Sequence, residues 1–435
     1  MTTALRPTHS RRPAWAGRNF TLHTSATVIS GLGNAAAPIA TAFAVLEHGG
    51  GTSEVGYVTA ARMVPLVLLL LIGGALADRL PRHRVMVGAN LFNALSQAVL
   101  AALVLAGPVG LPPLLLLSAA GGAGQAFYGP AAQGVILQSV DAEHSARAFS
   151  VYRMAVNGAQ IGGAALGGAL VGLIGPGWVL ALDAGCFVLA AALRTLLDLP
   201  AASEASPGEP GSSPAPDMLG ELRAGWREFI GRRWLWAVVL QFSVVMACIE
   251  AVEAVYGPVV AKQRLGGAGA WGTAMAAFSV GMLAAGLLTA RRQPRRILLV
   301  GNLGVFLFAL PAVALAVAAP VPVLAAAMFV SGAGVTVFGV NWMLALQQEI
   351  PVELTSRVSA YDALGSLALT PVGLAAAGPA ADLLGLDGAL WACAATTLLL
   401  AAAVLVVPEV RRLSRATGDR PAVGDRAPAP APALN

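Results

Sequence analysis

Gly73-Gly74-Ala75-Leu76-Ala77-Asp78-Arg79-Leu80-Pro81-Arg82-His83-Arg84 separates two long apolar runs, Val64–Ile72 and Val85–Ala106. A charge at the centre of a bilayer costs roughly 2.5–3.5 kcal/mol on insertion scales. A link carrying one Asp and three Arg therefore lies outside the hydrocarbon, while the runs on either side can fill it. This one turn sets a side of the membrane, and the rest of the chain is arranged around it.

The chain has 435 residues, 57% of them hydrophobic and 11% charged, with a mean hydropathy of +0.73. Soluble domains carry about 25% charged residues, and here the deficit extends along the whole length. The class is a polytopic membrane protein, and fifty glycines suit helices that approach closely in lipid. The net charge of +5 comes from Arg, with Lys262 the single lysine. Nucleic acid is excluded as a partner, because the Arg residues are spread among short links. Cys186, Cys248 and Cys393 all fall in apolar stretches and read as small buried hydrophobes, without a disulfide framework. The basic start leads into an apolar run too long for a cleavable signal, whose core is about 7–15 residues.

A membrane helix needs roughly 20 mostly apolar residues. Twelve stretches qualify: 20–46, 54–77, 85–106, 111–138, 147–173, 177–197, 235–260, 271–290, 297–318, 321–348, 357–384 and 388–407. Arg clusters alternate with them. The N-tail, the 2–3, 6–7 and 8–9 links and the C-tail are Arg-rich, the 4–5 and 10–11 links carry Arg147 and Arg357, and the opposite side has only Lys262 and Arg264. The positive-inside rule then places both termini in the cytoplasm, which an even number of spans permits. The expected organisation is a cytoplasmic N-tail over 1–19, a six-helix bundle over 20–200, a cytoplasmic linker over 201–234, a second six-helix bundle over 235–407 and a disordered tail over 408–435. The linker is Pro-, Gly- and Ser-rich and then carries Leu219, Leu222, Trp226, Phe229 and Ile230 at helical spacing. That pattern predicts an amphipathic helix on the inner membrane surface.

The chain repeats itself. A shift of about 210 residues brings Gly122, Gly129, Gln138, Glu143 and Arg147 onto Gly332, Gly339, Gln348, Glu353 and Arg357, and Gly163, Gly168 and Gly175 onto Gly373, Gly378 and Gly385. One ungapped register holding Gln, Glu and Arg as well as Gly predicts a duplicated six-helix half. The fold class is all-α, with twelve transmembrane helices in two pseudo-symmetric bundles related by an axis along the membrane normal.

Twelve spans in two halves, the 6–7 linker and the opening stretch together resemble the major facilitator superfamily. Its 2–3 motif reads Gly-x3-Asp-Arg/Lys-x-Gly-Arg-Arg/Lys, and Gly74, Asp78, Arg79 and Arg82 match it, with Pro81 in place of the second glycine and His83 in place of the last basic residue. A narrower likeness, to the branch of enterobactin-exporter-like and macrolide-efflux-like proteins, rests on Arg62-Met63-Val64-Pro65, Arg357-Val358-Ser359 and Pro371-Val372-Gly373. Ile161 to Gly168 resembles the span-5 glycine pattern of exporters, with Gly163 where that pattern has Pro. The resemblance implies that Asp78 faces the N-terminus of span 11 near Thr355 and Ser356, whose free N–H groups favour an anion, and that Arg79 and Arg82 bridge the halves as a gate. The competing reading is a plain positive-inside turn. Spans 1, 4, 7 and 10 line the central cavity in this family.

Charges inside spans are the stronger functional pointer. Glu250 and Glu253, three apart on one face of span 7, are proton-coupling candidates together with Arg62 of span 2. The competing reading is a structural pair with Arg62, or a wetted vestibule. Asp362 is an inner-gate candidate with a structural reading, while Asp183 and Arg153 carry charge into spans 6 and 5 with no role assigned. Asn34, Gln125, Tyr128, Gln133, Asn341 and Gln348 are substrate-cavity candidates, and Thr27, Ser30 and Thr41 share the face of span 1 that carries Asn34. Asn90, Asn93 and Gln97 share a face of span 3, where hydrogen bonding between helices explains them as well as a ligand would. The run Gly31 to Ala36 fits GxGxxA but lies inside an apolar helix rather than after a strand, and Lys262 is not part of a phosphate loop. His and Cys show no metal spacing. No enzyme chemistry, cofactor or metal is expected.

The reading is a secondary transporter in a bacterial-type cell membrane, alternating access as a monomer. It would export a small amphiphilic drug or secondary metabolite in exchange for protons. The alternatives are a proton-coupled importer of the same fold and, in a different class, a membrane sensor or accessory subunit that does not transport.

Overall fold

Backbone polar groups in lipid have no water to bond, so a spanning chain folds into helices that satisfy them internally. A computed structural model describes residues 16–79, 81–198, 226–227, 229–292 and 294–415, and no strand occurs among them. The first half consists of α1 (Arg18–Glu47), α2 (Thr52–Arg79), α3 (Arg82–Ala106), α4 (Leu111–Ser139), α5 (Ser145–Ile174) and α6 (Pro176–Thr195). The second consists of α7 (Arg233–Arg264), α8 (Ala268–Arg291), α9 (Ile297–Ala316), α10 (Val321–Glu349), α11 (352–384) and α12 (386–404). Among the described residues nine runs are long and apolar enough to cross a membrane, and one of them, Leu364–Val404, is broken at Gly385. With that run divided into two, α2 and α4, of 28 and 29 residues, bring the set to twelve.

The internal repeat is visible in how the helices pack. A methyl group on Gly122 of α4 would strike the carbonyl of Arg62 in α2, and one on Gly332 of α10 would strike that of Phe278 in α8. In the same way Gly163 of α5 lies against Leu32 and Ala35 of α1, and Gly373 of α11 against Ala247 of α7. The turns that end the fifth helix of each half are also equivalent, with Gly175 at φ 83°, ψ 161° and Gly385 at φ 76°, ψ 158°. That backbone region is open to glycine almost alone.

Three expectations change. Asp78 and Arg79 do not lie in a loop. They form the last turn of α2, with Arg82 in the first turn of α3 and only Leu80 and Pro81 between, because Pro is tolerated at a helix start but cannot continue the preceding helix. The tail expected to be disordered from 408 starts with a short helix, α13 (Pro408–Arg412), and the Arg415 N–H donates to the Arg295 carbonyl at 2.8 Å. Of the amphipathic segment, Leu219 and Leu222 lie outside the described residues. Trp226 and Phe229 are helical and meet the Tyr361 ring of α11 at tilted angles, with centres 5.4 and 6.1 Å away, so this segment packs on the second bundle.

The apolar cores show how the halves meet. One buried cluster joins both, running through Phe43 and Leu46 of α1, Val55 of α2, Val255 of α7, Trp271 of α8 and Leu374 of α11. These residues all sit toward the end of the bundle away from the chain termini, called here the distal end. The clusters toward the terminus-bearing, or proximal, end each stay within one half: Met86, Ala132, Val135 and Leu197 in the first, Trp234, Val238, Phe338 and Trp342 in the second.

Replacing Gly175 or Gly385 by alanine forces a Cβ into that glycine-only region and is expected to cost about 1–3 kcal/mol. Gly185, with open space around it, is the control. Thermal unfolding in detergent should show a lower midpoint for the first two and no loss for Gly185→Ala; equal midpoints would remove the argument from backbone conformation.

Candidate functional site

A polar side chain inside an apolar bundle must find a partner or line a wet cavity. In the first half it does both. Thr27, Ser30 and Asn34 fall on one face of α1, and the first two return hydrogen bonds to their own helix, at His23 and Ala26. Asn34 instead meets Arg62. The Arg62 guanidinium donates from one nitrogen to Asn34 Oδ1 at 2.6 Å and to Gln125 Oε1 of α4 at 3.3 Å. Gly122 makes this possible by bringing α4 against the backbone of α2 at Arg62. The opposite charge that bears on Arg62 is Asp183 of α6. Asp183 is 1% exposed, accepts a 2.7 Å bond from Gln97 of α3, and keeps its other oxygen unpaired. Gly33 of α1 leaves the room that this carboxylate occupies.

A second cluster lies closer to the proximal end. Tyr128 of α4 and Thr27 share a 2.8 Å hydrogen bond, and one nitrogen of Arg194 donates to both hydroxyls, at 2.7 and 3.2 Å. The guanidinium also sits 4.8 Å from the centre of the Tyr128 ring. His23 stacks on Tyr152 of α5 with ring centres 5.3 Å apart. Arg194 is fully buried, its remaining two nitrogens have no partner, and no carboxylate pairs with it among the described residues. Its place in the last turn of α6 is favourable for a cation by about 0.3–1 kcal/mol, well short of the several kcal/mol that burying an ion costs.

Both clusters border open space. A cavity of 390 Å³ is lined by Thr27, Tyr128, Tyr152, Arg153, Asn157 and Gln160, among others. A neighbouring one of 150 Å³ takes in Asn34, Asn90, Asn93 and Gln125 and shares Thr27, Tyr128 and Gln160 with the first. The first half thus presents a continuous polar wall.

The second half contributes acids. Glu250 ends the α-helical part of α7, and Glu253 lies in the π-helical turn Ala251–Tyr256 that follows. Such turns insert an extra residue and recur at functional sites. Tyr256 anchors the turn by donating to the Ala377 carbonyl of α11 at 2.8 Å. Both glutamates are half-buried, and neither makes a side-chain hydrogen bond or ion pair among the described residues. The competing reading, a structural pair with Arg62, is not formed, since Arg62 bonds Asn34 and Gln125. Asp362 is held in its own half by the Trp342 indole N–H at 3.1 Å and the Ser366 hydroxyl at 3.4 Å.

Other candidates fare differently. Asn341 is 1% exposed, donates to Val337 of its own helix at 2.8 Å and packs against Gly301 of α9, so it faces the interior of the second bundle and not the cavity. Gln348 is half-buried at the proximal end of α10. Gly74, Asp78, Arg79 and Arg82 are placed as helix backbone, but the side chains of the last three, with those of Gln133, Thr355 and Ser356, lie outside the described ones. Sequence reasoning misses Arg194 and the π turn. Arg194 has a visible signal, a charge inside the 177–197 stretch, but it reads there as another cytoplasmic flank.

The cavity is closed at the distal end by contacts between the halves. Gly168 and Gly172 of α5 meet Gly272 and Gly269 of α8, and Gly56 and Ser53 of α2 meet Leu374 and Gly378 of α11. The Ser53 hydroxyl donates to Asp382 at 3.0 Å, and Lys262 donates to the Leu46 carbonyl of α1. The span-5 glycine run therefore serves two helices: Gly163 and Gly167 pack on α1, while Gly168 and Gly172 pack across to the other half. Every described hydrogen bond between the halves lies at this end.

A leucine at Gly168 is expected to wedge α5 from α8. In a background with the natural cysteines replaced by serine, a cysteine at Ala268, 7% exposed, should react with a maleimide several-fold faster in the Gly168→Leu protein. Unchanged labelling would show that this contact does not seal the distal end.

A family model described as Major Facilitator Superfamily matches residues 24–369. The chain is 27% identical over 411 residues to the multidrug efflux pump Tap of Mycolicibacterium fortuitum, covering 90% of this chain and 96% of that one. Among solved structures it resembles a bacterial homolog of the human lysosomal transporter Spinster in an inward-facing, unoccupied conformation, with a TM-score of 0.70, 16% identity and coverage of 94% of this chain and 100% of that one. It also resembles the nucleoside transporter NupG, with a TM-score of 0.68, 11% identity and coverage of 89% and 98%.

Proposed function

Because this chain belongs to the Major Facilitator Superfamily, a family of multi-pass membrane transporters, we propose that it exports a small amphiphilic drug or secondary metabolite in exchange for protons. The observation that carries export is the similarity to a multidrug efflux pump along nearly the whole of both chains. Orientation follows from the Arg-rich links, which put the proximal end and both termini in the cytoplasm of a bacterial cell. The distal closure then corresponds to an inward-facing monomer with its polar wall accessible from the cytoplasm, the side on which an exporter loads.

Proton coupling is assigned to Glu250 and Glu253. Two unpaired, half-buried acids, Glu250 at the end of the α-helical part of α7 and Glu253 in the π turn that follows, are expensive to keep charged, and protonation removes that cost. α7 touches α1 and α2 of the other half through this turn, so its charge state bears on how the halves close. The Asp78 turn is assigned to the cytoplasmic gate, with the start of α11 as its partner.

Everted vesicles test the reading. With the lumen acidified by respiration, adding members of a panel of cationic, neutral and anionic amphiphilic dyes outside should release lumenal protons and accumulate dye within. The Glu250→Gln, Glu253→Gln double variant should lose proton release to background at unchanged expression, and full activity in it would move coupling elsewhere. Asp78→Asn should cut transport several-fold without changing expression, and unaltered transport would reduce that turn to a topology signal. Dye movement only in the opposite direction would make the protein an importer.

A further inference from the structure

We infer that the cavity beside Tyr128 and Thr27 is a subsite for an anionic oxygen group, a carboxylate or a phosphate, carried by the transported molecule. The inference rests on the reading of the space between the halves as the transport path, and it narrows the substrate class.

Arg194 makes the case. It is fully buried at the end of α6, so it does not reach water in the manner of a flanking arginine. Five N–H groups must be placed. One nitrogen serves the Tyr128 and Thr27 hydroxyls, and the other two nitrogens are unpaired. The positive charge has no carboxylate partner among the described residues. Its link to the cavity is through the two hydroxyls that line the wall.

The donor arithmetic gives those hydroxyls a direction. Thr27 donates to the His23 carbonyl at 2.9 Å, so it accepts from Arg194. Tyr128 also accepts from Arg194 and, because the Thr27 proton is on the His23 carbonyl, donates its own to Thr27, a proton that a ligand oxygen in the cavity would take over. A hydroxyl whose oxygen accepts from a guanidinium is a stronger donor outward. Arg153, exposed on the same cavity wall, adds a second cation, and Asn157 and Gln160 add neutral donors on the same face of α5. No Asp or Glu lines this cavity among the described residues. At 390 Å³ it falls in the size range of small-molecule sites, and Tyr152 and Phe149 supply aromatic surface for the apolar body of the ligand.

The same chemistry could come from a lipid headgroup, and the test separates the two sources. The probes are 1-naphthaleneacetate and 1-naphthaleneacetamide, which share a ring and differ in charge. Binding to the full chain in nanodiscs of zwitterionic lipid is followed by isothermal titration calorimetry. The acid should bind about tenfold tighter than the amide, the scale of one charge-assisted hydrogen bond. That preference should vanish in Arg194→Gln and shrink in Tyr128→Phe and Arg153→Gln, and Arg194→Lys, which keeps the charge, should restore part of it. Adding phosphatidylglycerol to the nanodisc should leave acid affinity unchanged if the group belongs to the substrate. If the lipid lowers acid affinity in the parent but not in Arg194→Gln, the anion site stands and a headgroup fills it. Equal affinity for acid and amide in the parent protein overturns the inference, as does a preference that survives both Arg194→Gln and Tyr128→Phe. Tyr128→Phe keeps the ring and guards against loss of fold. Binding is read without a gradient, so its failure leaves proton-driven export standing, and a failure of export leaves this result intact.

Discussion

Backbone meets backbone where the two halves touch, and only glycine permits it. Gly168 and Gly272 bring α5 and α8 together, and Gly56 and Gly378 do the same for α2 and α11. Gly168 and Gly378 are counterparts under the 210-residue repeat, and the helices they meet, α8 and α2, are the second helices of their halves. A contact made of backbone atoms has no side chains to unlock and little polar bonding to break. Close approach and dispersion hold it, and a modest bias can open it. The shared apolar core lies behind this seam, while the proximal cores remain private to each half. Two bodies that share a core at one end and, among the described residues, keep private cores at the other have the mechanical arrangement alternating access requires.

Charge inside the bundle is arranged asymmetrically around that seam. The first half holds Arg62 half-buried and buries Asp183 and Arg194 behind a polar wall, with Arg62 donating to Asn34 and Gln125, Gln97 donating to Asp183, and Arg194 donating to Thr27 and Tyr128. The second half offers two glutamates without partners among the described residues, one just before and one within a turn that departs from α-helical geometry. Repetition built the scaffold in duplicate, but the chemistry was not duplicated with it. Nothing described in the second half repeats the Arg62 network, and its own buried polar link, Gln241 to Asn302 to the Ala401 carbonyl, ties helices together without charge.

Much of this architecture is legible in the amino-acid sequence. Lipid leaves the backbone helices or a closed barrel, and apolar runs of about 20 residues select helices, so hydropathy locates twelve helices, and 111–138 against Leu111–Ser139 shows how closely. The repeat is legible because glycines needed for close approach, or for a glycine-only turn as at Gly175 and Gly385, cannot drift. What escapes depends on neighbours. Asn341 has the spacing of a cavity residue, yet it turns toward Gly301, and no pattern within α10 says which neighbour it will meet. Arg194 resembles any arginine at a cytoplasmic helix end until the surrounding helices are seen to bury it. The end of α7 extends to Arg264 rather than stopping at 260, because Lys262 finds a carbonyl on α1 where the sequence shows only a charge.

The central claim is that the two halves rock as rigid bodies about the glycine seam, and paired distances test it most directly. Spin labels at Gly49 and Gln263 report the distal end, and labels at Arg84 and Arg291 report the proximal end; all four positions are exposed. Double electron–electron resonance in nanodiscs, at neutral and acidic pH, should show the two distances changing in opposite senses, distal lengthening as proximal shortens. If both lengthen together, or if one end moves while the other stays fixed, the halves do not rock about a common seam.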